Sequence, residues 1–164
     1  MILQYLFQKE NKEKVIAKSI YTNVLDISNN YLSNNKFFSN KNFKSSYEII
    51  VFFLLLSLKI NSKNKLRNYE KINQYLVDCF VNDLDETFRI QGIGDMSIGK
   101  YVKKYVKRFY YRITKFDDLV QLEQPKTFLD YFMLFNVINL KNITSSTFCE
   151  ITENLTKSLP GEWG

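Results

Sequence analysis

Phe88-Arg89-Ile90-Gln91-Gly92-Ile93-Gly94-Asp95-Met96-Ser97-Ile98-Gly99-Lys100 holds three of the five glycines in the chain. Glycine tolerates positive φ and close backbone approach, so such a cluster in a glycine-poor chain marks a fixed joint. Before it, Ile72, Tyr75, Leu76, Cys79, Phe80, Leu84 and Phe88 recur at helical spacing. After it, Ile98, Val102, Tyr105, Val106, Phe109, Ile113 and Phe116 do the same. The stretch therefore joins two amphipathic helices, over 66 to about 91 and from 95 to about 122. Gly92 stands where a C′ glycine ends the first, and Asp95 or Ser97 is placed to cap the second. Gly99 in the first turn costs about 1 kcal/mol relative to Ala, which predicts close approach of another helix there. Arg89, Gly92, Gly94, Asp95, Ser97 and Gly99 are read as the residues that shape the joint.

Working outward, residues 11–33 carry Val15, Ile16, Ile20, Val24, Leu25 and Ile27 at mostly helical spacing, after a short amphipathic turn at 2–8. Residues 34–44 read as a loop with aromatic anchors. Ser45 with Glu48 three residues on has the form of a capping box, which starts a core helix over 46–60. The run from Ile49 to Leu58 is the most apolar in the chain. It is too short for a membrane span, which needs about 20 such residues, and a buried core helix is expected. Asn61-Ser62-Lys63-Asn64 follows as a turn. Pro125 suits the first turn of a further helix, with Thr127 and Asp130 as a box. Ser145-Ser146-Thr147 with Glu150 opens a last one, closed by Pro160-Gly161. The expectation is an all-α fold: one compact domain of about six helices spanning 1–164, a length that allows a real core.

Composition removes several chemistries. The chain has no histidine, so the commonest general acid/base and zinc ligand is missing. Cys79 and Cys149 lie too far apart in sequence for a metal-type pair and are expected as buried thiols. Gly94-Asp95-Met96-Ser97-Ile98-Gly99-Lys100 matches the spacing of a phosphate-binding loop. However, Tyr101 stands where Ser or Thr should hold magnesium, and the preceding segment is helical rather than a strand. Asp78, Asp83, Asp85 and Glu86 fall on one exposed helix face, without the oxygen-rich loop a metal needs. They suit pairing with Arg89, the basic helix or a cationic partner. Neither cofactor, metal nor catalysis is expected.

The helix after the joint segregates its charge. Lys100, Lys103, Lys104, Lys107, Arg108, Arg112 and Lys115 gather opposite its apolar stripe. Against the single acid Asp95 they give residues 92–116 a charge of +6, equal to that of the whole chain. Such a face is an ordinary solvated one or a surface for an anionic partner: RNA, a membrane headgroup layer or an acidic protein. Lys100, Lys103, Lys104, Lys107, Arg108 and Arg112 are the expected partner contacts. The apolar start, Met1 to Lys9, lacks a basic n-region and a small-residue cleavage site. It is therefore not read as a secretory signal.

Asp83-Leu84-Asp85-Glu86-Thr87-Phe88-Arg89, then Gly92 to Lys100, then Val102-Lys103-Lys104 and Phe109-Tyr110 with Arg112, resembles the signature of the ubiquinol–cytochrome c chaperone family. Its members read like D-x-D-x-x-L-R-E-M-G-V-G-D-L-S-V-G-K, then V-K-K and F-Y-G-R. Tyr47-Glu48-Ile49-Ile50-Val51 is similar to the family's F-D-x-x-V, and the likeness extends over Phe135-Asn136-Val137. Ile90 and Gln91 replace the family's Glu-Met, Phe53 stands where His is frequent, and Tyr111 replaces a Gly. The resemblance implies an all-α, non-catalytic assembly factor for the bc complex (ubiquinol–cytochrome c reductase, respiratory complex III). Implied partners are newly made cytochrome b or another bc complex subunit, the ribosome and a small partner protein. The basic face suits ribosomal RNA or an anionic membrane surface.

Overall fold

The computed structural model describes residues 11–33 and 42–119, with side chains given to 116. They form four helices: α1 (Lys12–Ser33), α2 (Phe43–Lys63), α3 (Tyr69–Ile90) and α4 (Asp95–Leu119). No strand occurs among the described residues. Among the described residues the fold is all-helical as expected, and its four helices correspond to four of the about six expected. The turn expected at 2–8 and the helices expected from Pro125 and Ser145 lie outside the described residues.

Asn11 starts α1: its side-chain oxygen accepts from Glu13 N at 3.1 Å and its carbonyl from Lys14 N at 2.9 Å. Glu13 adds a negative charge near the helix N-terminus, where the dipole favours it. The helix buries Ala17, Ile20, Tyr21, Val24 and Ser28. Ser28 is accommodated because its hydroxyl donates to Val24 O at 2.6 Å.

The expected start of α2 is overturned. Asn42 caps it, accepting from Ser45 N at 3.0 Å, so the helix begins at Phe43. No Ser45–Glu48 box forms, because Glu48 is buried and bound elsewhere. The helix also runs on through 61–63, where a turn was expected. Asn61 there is buried and donates to Asn73 Oδ1 at 2.8 Å, while Asn73 Nδ2 reaches Leu58 O at 3.2 Å. As expected, Ile49 and Val51 to Leu56 form the centre of the core. No described helix is long and apolar enough to cross a membrane. Between α2 and α3 the chain turns through two left-handed residues, Lys65 and Asn68. This is why α3 starts at Tyr69 rather than Leu66.

In α3 the residues Ile72, Leu76, Phe80, Leu84 and Phe88 are buried at a constant spacing of four, one stripe along the helix. Helix α1 packs on α2 and α3, and α4 packs on α3 and α2. Aromatic rings link the four helices. Phe43 lies 5.4 Å from Phe88 and 5.1 Å from Tyr105, Tyr47 lies 5.0 Å from Tyr105, and Phe80 lies 5.2 Å from Phe109. Phe53 is buried 5.4 Å from Tyr31 and 5.5 Å from Phe52, so a ring rather than a polar side chain fills the middle of the core.

Candidate interaction face and its supporting joint

The joint between α3 and α4 is built from backbone bonds. Gly92 takes φ +79°, and its N–H reaches Arg89 O at 3.0 Å. Ile93 N reaches Phe88 O at 3.1 Å. These two bonds make the Schellman ending, which requires a left-handed residue at C′. Ile93 then packs on the core. The structure corrects the expected cap of α4. Gly94 holds that position, its carbonyl accepting from Ser97 N at 2.8 Å and Ile98 N at 3.2 Å. Asp95 is the first helical residue. Its carboxylate lies 2.6 Å from Arg89, which also lies 2.7 Å from Asp85. Arg89 thus ties the end of α3 to the start of α4, and its pKa is raised, first by the hydrogen bond to Asp85.

A Cβ at Gly99 would meet open space among the described residues, as at Gly94, so none of the four described helices makes the close approach expected there. Nor does a strand precede the Gly94–Lys100 loop. The preceding element is α3, and the Tyr101 ring lies 5.7 Å from Phe88. The expected exposed acidic face is divided between several partners. Asp83 accepts from the Tyr21 hydroxyl at 2.7 Å, Asp78 from Gln74 at 3.1 Å, and Asp85 takes Arg89. The Tyr21 phenol is pushed far above its ordinary value, first by burial and then by the bond to Asp83. Cys79 is a free, half-buried thiol whose pKa burial raises, and Cys149 lies outside the described residues.

Of the six cations expected to meet a partner, Lys100, Lys103, Lys104, Lys107 and Arg108 are exposed on α4. The Arg108 guanidinium lies over the Tyr105 ring at 4.9 Å. Arg112 turns inward instead. It binds Glu48 through two hydrogen bonds, of 2.6 Å and 3.1 Å, with the two side chains only 12% and 3% exposed. From the position just before Glu48 on α2, the Tyr47 hydroxyl donates to Tyr105 O at 2.8 Å. Burial, and next the Glu48 charge, pushes the Tyr47 phenol well above its ordinary value. The bidentate pair and this hydrogen bond dock α4 on α2 and fix which face of α4 looks outward.

Sequence reading missed Glu48. The available signal was a lone acid opening a ten-residue apolar run, with an arginine on the facing helix. A groove of about 410 Å³ lies on the other side of α2, lined by Phe43, Tyr47, Ile50, Phe80 and Leu84, with Asp83, Thr87 and Gln91 at its edge. Among the described residues no cluster of Cys, Asp or Glu could hold a metal ion.

The family model described as Ubiquinol-cytochrome C chaperone matches residues 35–124, more than half of the chain. That span takes in α2, α3, the joint and α4. No curated protein and no solved structure shows a significant match.

Proposed function

The chain belongs to the ubiquinol–cytochrome c chaperone family, and from that premise we propose that it is a non-catalytic assembly factor for the bc complex, holding newly made cytochrome b until it is built in. The observation that carries the proposal is the family match across the joint and α4. The exposed row Lys100, Lys103, Lys104, Lys107 and Arg108 supports it by offering a contact surface with no carboxylate at ion-pair distance among the described residues. Arg89, Gly92, Gly94, Asp95, Ser97 and Gly99 serve by setting the angle at which α4 presents that row. Arg112 serves from inside, through Glu48. The groove beside Tyr47 and Phe80 offers Phe43, Ile50 and Leu84 as an apolar wall for a membrane-protein client. In this reading the chain works at the cytoplasmic side of the inner membrane, with the ribosome or a small partner protein as further contacts.

The test is a pulse of labelled amino acid followed by capture of the tagged full chain. Labelled cytochrome b should come down early and leave during the chase. A chain that retains no labelled cytochrome b at any time contradicts the client assignment.

A further inference from the structure

Lys100, Lys103, Lys104, Lys107 and Arg108 are exposed, and none has a carboxylate at ion-pair distance among the described residues. Helical spacing sets Met96, Lys100, Lys104, Lys107 and Tyr111 in one line and Lys103, Lys107 and Tyr110 in the next. Met96 is fully exposed, and Tyr110 and Tyr111 are 57% and 52% exposed. The cationic row therefore has an apolar residue at its N-terminal end and two amphipathic rings at its C-terminal end.

We propose that this face lies flat on an anionic lipid bilayer. The ammonium groups sit among the headgroup charges, while Met96, Tyr110 and Tyr111 enter the boundary below them. Tyrosine suits that depth because its ring is apolar and its hydroxyl polar. The inference deepens the chaperone reading by naming the partner of the basic face.

Three observations favour lipid over nucleic acid. The row runs along the outside of one helix, and the groove lined by Tyr47 and Phe80 lies elsewhere, between α2 and α3. Single-stranded RNA is held in grooves where bases stack in succession, whereas a bilayer needs only a one-sided row. Four of the five cations are lysines, compact point charges without the fork that reads phosphate in a fixed geometry. Tyr110 and Tyr111 stand at one end of the row, while Tyr101 and Tyr105 lean on Phe88, which does not match alternating backbone and base contacts along that face.

The test uses the full chain and vesicles of phosphatidylcholine, with or without phosphatidylglycerol, read by flotation. Binding should require phosphatidylglycerol and be released by salt. The triple variant Lys103→Glu, Lys104→Glu, Lys107→Glu should partition about 100-fold less, with circular dichroism and melting unchanged. Tyr110→Ser with Tyr111→Ser should weaken binding at unchanged charge, which a purely electrostatic contact would not show. Equal binding to both vesicles, or unaltered binding by the triple variant, overturns the proposal. So does salt-sensitive binding to single-stranded RNA in place of vesicles. Cytochrome b capture is read separately, so failure here leaves the chaperone reading standing.

Discussion

Glu48 and Arg112 show what one side chain decides in this fold. A carboxylate with 3% exposure is tolerated only because the guanidinium meets it through two bonds. Glu48→Ala should therefore cost about 3–5 kcal/mol in urea unfolding, since it strands a buried cation. Glu48→Met with Arg112→Met should cost much less than either single change. A loss in the double variant equal to the sum of the two single losses would mean that the pair is not coupled. Tyr21 and Tyr47 give a pH signature. Both phenols are raised above 10.0 in the fold, so between that value and the folded one the unfolded chain binds fewer protons than the native chain. Their stabilising contribution is complete below pH 10 and falls as pH rises past it. Melting in alkali should show this fall, and Tyr21→Phe with Tyr47→Phe should flatten it. Neither feature was legible in the sequence. Glu48 has the spacing of a capping residue, and only the packing of α4 on α2 tells which acid meets which base.

At the scale of elements, periodicity was readable and the ends were not. The stripes of α3 and α4 follow from spacing alone, because burial of one face repeats along the whole helix. Ends depend on single local bonds, such as the Asn42 cap on Ser45 N or the left-handed Asn68. Gly92 was an exception, because a C′ glycine is itself a sequence signal. The joint yields a paired prediction. Gly92→Ala forces a side chain into φ +79° and should destabilise by about 1 kcal/mol. Gly99→Ala meets open space in a helix and should stabilise by about 1 kcal/mol. Chemical denaturation of the two variants checks both signs. A loss at Gly99 would point to an approach that the described residues do not contain.

For the whole molecule, the helical class and the family could be read from the joint motif, whose residues bring α3 and α4 together. How α2 and α4 dock could not, since Tyr47, Glu48, Tyr105 and Arg112 meet across about 60 residues of chain. That docking turns five cations outward and one inward. It makes α4 a rigid presenting element, whose role in bc complex assembly is the central claim. The most direct measurement is a reduced-minus-oxidised haem spectrum of membranes from cells with and without this chain. Selective loss of the b-type signal, together with cytochrome b protein, is the predicted result. Unchanged b-type haem in cells lacking the chain would contradict the account.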